Sequence, residues 1–482
     1  MYTALIVVSV IVLLCIFSTK ALYRFGVPSL LVFLALGMVL GSEGVGGIDF
    51  NDFIFTEHIS TVFLSVIIFF GGFGTKWEAA KPIVLKAALL SSVGTMMTAV
   101  VTGLLCTMIL NVPFIYGFLF GAVIASTDAA SVFSILRSRK LNLKGGLAPL
   151  LEVESGSNDP FAYMFTILVI TVINADTTGG GAWFLAGSFA LQIGLGIAFG
   201  AVVAVITVFV LSRVNLEITG LAPIMLLAIV VLSFSTCTAV GGNGLLAVYI
   251  LGIIVGNNKI LEKVSLVHFF DGLSWLMQIM LFFLLGLLSS PSKLLEIIVP
   301  GTLLSLLIIF VARPIAVFSI LSWFKTPFKQ QVLTAWVGLR GAASIVFAIV
   351  ALDATRGDLP YDLFHLVFFV ALFSILIQGS LLPVLSNKLE LVDDDDENAV
   401  LKTFTDYYED VHSTFFEYTI ASNDKLADKR IVDSSIPEGI IIMAIKRGSD
   451  IITPKGATLL KENDILLASG DDFNFFNEPE KV

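Results

Sequence analysis

Charge is scarce in this sequence: over 482 residues, Asp, Glu, Lys and Arg together make up 14%, while 57% is hydrophobic. Soluble domains carry about 25% charged residues, so a soluble globular protein is excluded. Thiols are scarce as well. Cys15, Cys106 and Cys237 each stand alone in an apolar run, without CxxC or Cys/His spacing, which leaves neither a disulfide framework nor a zinc site. No nucleophile–base pair and no cofactor motif appears, so neither an enzyme nor a resident cofactor is expected, and no nucleic-acid partner. The formal net charge of -10 is concentrated in Asp393 to Glu397 and the tail behind them, and says little about the apolar part.

What fills the sequence is long apolar runs. A membrane-spanning helix needs roughly 20 predominantly apolar residues, and such runs number about thirteen. The first, Tyr2 to Ser18, has no basic residue before it and no small-residue cleavage site after it, and reads as a retained span rather than a signal peptide. The third (Ile59 to Phe73) and ninth (Leu245 to Gly256) are the shortest. Forty Gly residues suit close helix contacts, since small residues let backbones approach where water does not drive association. Lys and Arg cluster in one set of alternate loops, including Lys20, Arg24, Lys76, Lys81, Arg139, Lys144, Arg213, Lys259 and Lys325, whereas the other set holds little beyond Lys293 and Arg356. The positive-inside rule then puts the N-terminus outside and the C-terminus in the cytoplasm, as an odd number of spans requires. The expected architecture is an all-α polytopic membrane domain over 1–386, an acidic linker over 387–403 and a small α+β cytoplasmic domain over 404–482, where alternating runs at Phe415 to Ala421, Gly439 to Lys446 and Asp464 to Ala468 read as strands.

Ionisable residues deep in a membrane are costly and mark function by default. Three spans carry them: the fifth, Pro113 to Leu136, with Ser126-Thr127-Asp128; the sixth, Leu147 to Ile173, with Glu152, Glu154, Ser155, Asn158 and Asp159 ahead of Pro160; and the twelfth, Val332 to Leu352, with Arg340 in Gly338-Leu339-Arg340-Gly341. At about 1.5 Å per residue, Asp128, Asp159 and Arg340 reach the middle of the bilayer. Ser155 and Asp159 share a helical face, as do Glu154 and Asn158. Pro160 frees a backbone carbonyl beside the carboxylate. Hard monovalent cations take oxygen ligands, so Asp159, Ser155 and Thr127 form an expected shell for potassium or sodium. A proton and a cation competing for Asp159 is exchange in its simplest form. Glu154 is expected to pair with Arg340 as a structural ion pair. Asp128 reads equally as a second ligand or as a cap of a broken helix, Glu152 as a funnel residue, Arg313 before Pro314 as a side chain that snorkels or satisfies freed carbonyls, and His58, His268 and His365 as interfacial. The fifth and twelfth spans are both interrupted by Gly and small polar residues, seven spans apart and hence oppositely oriented, which points to an inverted-repeat secondary transporter. A channel lacks support, for no TVGYG-like filter appears, and no pocket for an organic solute is visible.

At these residues the sequence resembles the cation:proton antiporter-1 family, especially its NhaP/CvrA-type potassium/proton members. The resemblance rests on Ser126-Thr127-Asp128-Ala129-Ala130-Ser131, on Leu150 to Pro160 (LLEVESGSNDP), on Gly338 to Ala342 and on Ile377-Gln378-Gly379 to Pro383. It implies a homodimer in the bacterial inner membrane, with a dimerisation unit around a moving core of spans 4–6 and 11–13 and an elevator-like alternating access. Asn158, in place of a second Asp, matches the electroneutral branch, one cation for one proton, with sodium as the alternative to potassium. In the third span Phe70-Gly71-Gly72 departs from the pattern, since many relatives carry an acid before Gly-Gly. From about Phe404 the tail is similar to the C-terminal half of the RCK unit, on Leu426 to Val432, Ile436 to Gly439 and Asn463 to Leu466. That likeness implies dimerisation and regulation by a cytoplasmic ligand such as cyclic di-AMP or another nucleotide, and it keeps an RCK-gated potassium channel as the more distant alternative.

Overall fold

The computed structural model of the chain describes residues 9–17, 29–139, 141–174, 182–213, 220–355, 357, 359–392, 414–420, 424, 426–434, 436, 440–448 and 450–470. They divide into two compact units, Met1–Leu401 and Lys402–Val482.

The first unit is helical. After a helix over 9–17 (α1) come α2 (Ser29–Leu40), α3 (Phe53–Gly74), α4 (Val84–Leu110), α5 (Phe114–Ile124), α6 (Ala129–Ser138) and α7 (Leu147–Asn174). Then follow α8 (Ala182–Arg213), α9 (Leu221–Ala239), α10 (Gly244–Asn257), α11 (Lys263–Leu288), α12 (Ile298–Leu321), α13 (Phe328–Trp336), α14 (Ala342–Ala354) and α15 (Leu363–Lys388). Among the described residues nine helical stretches are long and apolar enough to cross a membrane, counting Phe114–Leu136 as one, and α2, α10 and α14 are shorter apolar helices. The third expected span is longer than its hydropathy suggests, with 22 residues from Phe53; Asp52 caps it by accepting the Phe55 N–H at 2.9 Å. Much of the first expected span lies outside the described residues.

The helices pack in two bundles. One holds α2, α3 and α8 to α11, the other α4 to α7 and α12 to α15, and they meet where α7 and α14 touch α3, α8, α10 and α11. Inside each bundle glycine sets the closest approaches: a Cβ at Gly256 would fall 2.1 Å from the Phe73 carbonyl oxygen, at Gly286 2.2 Å from that of Leu34, and at Gly121 2.1 Å from that of Ala99. These contacts between backbones are what small residues permit in lipid.

Two pairs of matching irregularities lie in the second bundle. The chain leaves helical form at 125–128 between α5 and α6, and at 337–341 between α13 and α14. A π-turn interrupts α4 at Leu90–Gly94 and α12 at Ile308–Ala312. In each pair the members are seven expected spans apart. In α12 the cause is legible: Pro314 can neither donate to the carbonyl four residues back nor tolerate its approach, and the wider turn absorbs the mismatch just ahead of Arg313. A third π-turn, Ile375–Gly379, precedes Pro383 in α15 in the same way.

Composition placed 387–403 in the linker, but its first residues are ordered against the membrane domain. Leu391 and Val392 are buried, Val392 bridges to Leu143, and the Leu391 carbonyl accepts the Lys144 N–H at 2.9 Å. Asp393 to Glu397 fall outside the described residues.

The second unit is a four-stranded antiparallel sheet of order β1-β4-β2-β3, with β1 (Thr414–Thr419), β2 (Ile440–Arg447), β3 (Asp450–Ile452) and β4 (Ile465–Gly470). The three expected strands are present within a few residues. The short β3, not foreseen, forms because Gly448 at φ 63° closes a tight turn after β2. Ile420, Leu426, Ile440, Ile445, Leu460, Leu466 and Ala468 form its core.

Candidate ion site

Where the two helix breaks meet, the backbone groups left without helical partners satisfy one another. The Asp128 N–H donates to the Leu339 carbonyl at 2.7 Å, and Arg340 Nη1 donates to the carbonyls of Ala125 and Ser126 at 2.7 and 3.0 Å. Arg340 thus serves the carboxyl end of α5, where the last carbonyls carry partial negative charge. The Arg340 N–H is held by Ser374 Oγ at 3.1 Å, and Ser374 in turn donates to Gln378 Oε1. Gln378 also closes the end of α13: its Nε2 donates to the Trp336 carbonyl at 2.9 Å, and Trp336 Nε1 returns a bond to the Gln378 carbonyl at 3.1 Å.

This arrangement corrects the expected ion pair. Glu154 does not pair with Arg340; it pairs with Arg313, whose Nη2 lies 3.0 Å from Glu154 Oε2, both side chains 2% exposed. Arg340 is committed to helix-end carbonyls, a task that exists because the fifth span is broken, while the π-turn before Arg313 aims that side chain inward. The two arginines exchange the roles expected for them, and Arg313 does not snorkel. Gly338 makes room, since a Cβ there would fall 2.8 Å from Arg313 Nε.

Asp128 resolves toward its capping role. Oδ1 accepts the Ser131 N–H at 3.3 Å and Oδ2 accepts Ser131 Oγ at 2.5 Å, so the carboxylate caps the start of α6. A Cβ at Gly341 would fall 2.4 Å from Asp128 Oδ2, so the cap fits only against glycine.

The remaining expected residues converge. Ser155 Oγ donates to the Thr127 carbonyl at 2.6 Å, and Thr127 Oγ1 lies 3.3 Å from Ser155 Oγ. Asn158 Oδ1 accepts the Thr127 N–H at 3.3 Å, while its Nδ2 donates to Thr127 Oγ1 and, at 3.3 Å, to Glu154 Oε1. Asn158 therefore orients the Thr127 peptide. Asp159 accepts a hydrogen bond from Ser126 Oγ, is half-buried, and among the described residues has no basic partner. Ser126 went unassigned in the sequence, although it stands beside Thr127 in the quoted motif. The result is a set of hard oxygen donors, Asp159 carboxylate, Ser155 hydroxyl and Thr127 carbonyl, of the kind monovalent cations take. Among the described residues no group of three or more His, Cys, Asp or Glu side chains forms a metal cluster.

Of the histidines expected at the interface, His365 is instead buried: Nδ1 contacts Asp362 at 2.7 Å and Nε2 accepts the Ser290 N–H at 3.1 Å.

Residues 9–388 match the family model of the sodium/hydrogen exchanger transmembrane domain, and residues 415–472 match the TrkA-C domain. The chain is 34% identical over 465 residues to the K+/H+ antiporter NhaP of Alkalimonas amylolytica, covering 96% of this chain and 80% of that one. It is 33% identical over 451 residues to the K+/H+ antiporter NhaP2 of Shewanella sp. strain MR-4, covering 93% and 78%. The structure of the sodium proton antiporter MjNhaP1 from Methanocaldococcus jannaschii at pH 8 superposes with a TM-score of 0.70 at 23% identity, covering 80% of this chain and 99% of that chain, a likeness of fold.

Proposed function

The chain belongs to the sodium/hydrogen exchanger family of multi-pass membrane proteins, and we propose that it exchanges one monovalent cation, potassium ahead of sodium, for one proton at Asp159. The order of preference follows the potassium/proton relatives.

One observation carries the reading: Asp159 accepts a hydrogen bond from Ser126 at the helix breaks and, among the described residues, has no basic partner. Glu154 is balanced by Arg313, and Asp128 is held as the cap of α6 by Ser131. Ionised Asp159 carries a charge of -1, which one proton or one monovalent cation balances. A loaded site is then neutral with either ion, and a bare one leaves a charge buried in lipid. That penalty favours movement of the loaded site over the empty one, which couples the two fluxes. Ser155 Oγ and the Thr127 carbonyl supply neutral oxygens that replace part of the hydration shell of the cation. A proton needs only the carboxylate and the Ser126 hydroxyl.

The bundle of α4 to α7 and α12 to α15 carries the site, and its displacement past α3, α8, α10 and α11 would alternate access. The protein works as a homodimer in the cell membrane, N-terminus outside and C-terminus inside, and the tail adjusts exchange in response to cyclic di-AMP or another nucleotide. The TrkA-C match supports a regulatory tail.

The test is reconstitution. In proteoliposomes with a preset pH gradient, adding potassium is expected to move protons without building a voltage, and Asp159→Asn to stop this while the protein stays folded. Proton-coupled cation flux retained in Asp159→Asn, or conductive potassium flux without proton movement, overturns the proposal. The second outcome favours the channel.

A further inference from the structure

Asn243 joins the two bundles beside the site. It opens α10 after Gly241, at φ 83°, and its Oδ1 accepts the Leu246 N–H at 3.0 Å as the helix cap. Its own N–H donates to the Gln192 carbonyl of α8 at 3.1 Å. Those contacts stay within one bundle. Its Nδ2 crosses to the other, donating to the carbonyl of Pro160 on α7 at 2.7 Å, one residue beyond Asp159. The side chain is buried, at 2% exposure.

A cap needs only an acceptor, which Asp or Ser supplies as well as Asn; the amide donor serves something capping does not require. One turn of α7 below Pro160, Gly156 lies against the Tyr249 ring of α10, where a Cβ would fall 3.0 Å from a ring carbon. Glycine against an aromatic ring is an apolar contact without direction, whereas the Asn243 bond is directional. We propose that Asn243 is a latch: a positioning residue that holds the bundle carrying the site by the Pro160 carbonyl in the conformation described here, and that must release it when that bundle moves. The inference rests on the exchange reading and names the contact that regulates the movement. Losing a bond made in one state and not in the other shifts their populations, by about fivefold for one net buried hydrogen bond.

Asn243→Asp in the full chain keeps the acceptor for Leu246 and removes the donor; Asn243→Ser does the same without adding charge. Both are expected to keep α10 as protected as in the wild type, to change KM for potassium or kcat by about fivefold, and to speed hydrogen–deuterium exchange of peptides around 156–166 but not 244–257. Wild-type transport constants in both variants overturn the latch, even if exchange around Pro160 quickens. Loosening of α10 together with a lowered unfolding temperature also overturns it, by reducing Asn243 to a cap. If the wild-type chain moves no protons on addition of potassium, the exchange reading is what fails, and hydrogen exchange still decides whether Asn243 holds α7.

Discussion

Residue by residue, the ionisable groups of the membrane domain differ in what they hold. Glu154 and Arg313 hold each other at 3.0 Å, and truncating one partner leaves a buried charge, which costs about 3–5 kcal/mol. Arg313→Met is therefore expected to lower folded yield and thermal midpoint, and Arg313→Met with Glu154→Gln to recover most of the loss. Arg340→Met, by contrast, strips two carbonyls of their donor, and Glu154→Gln should not rescue it. Thermal melts of the four variants in detergent check both, and equal rescue in the two backgrounds would restore the Glu154–Arg340 pairing. In the tail, Arg447 donates from Nε and Nη2 to both oxygens of Asp464, each at 2.7 Å. This hydrogen-bonded guanidinium holds the Asp464 carboxyl below the usual carboxylate range. The stabilisation is complete above the unfolded value of about 3.9 and fades as pH falls through the lower folded value. Tail stability should thus be flat from neutral pH down to about 5 and drop below about 4. Asp464→Asn should cost about 2 kcal/mol at pH 7 and flatten the acid limb, read from hydrogen exchange of β4 in the full chain.

Among the elements, the paired breaks matter most. They were legible as Gly and small polar residues inside apolar runs, but how the ends are satisfied was not. A guanidinium bonded to carbonyls looks, along the chain, like one waiting for an acid, and the π-turn that aims Arg313 leaves no mark beyond Pro314. Gly341 shows how tightly the breaks fit: Gly341→Ala drives a Cβ to 2.4 Å from the Asp128 carboxylate, and overpacking of this kind costs about 1–3 kcal/mol. Loss of exchange and reduced folded yield are expected on size exclusion and flux assay. Gly71→Ala, where a Cβ meets nothing within 4 Å, serves as the tolerated control, and equal behaviour of the two would show that the breaks do not depend on this contact.

For the molecule as a whole, the boundary between its units has a measurable position. Leu391 and Val392 pack on the loop after α6, so a chain ending after Val392 is expected to keep cation-driven proton flux and lose any response to cyclic di-AMP, whereas one ending at Glu390 should lose folded protein. Flux and calorimetry on both truncations check this, and a nucleotide response surviving the first would separate regulation from the tail. The sequence by itself determined that the chain is a multi-pass membrane protein, that two apolar runs are interrupted by Gly and small polar residues, that Ser155, Asn158 and Asp159 share one helix, and that a small sheet domain follows. Each of these is local: hydropathy, helical spacing and turn residues act over one span. Only the tertiary structure decided which arginine meets Glu154 and that Asn243 reaches Pro160. Those partners are separated by up to 159 residues, and buried polar groups choose among partners by distance and direction in space, which spacing along the chain does not encode.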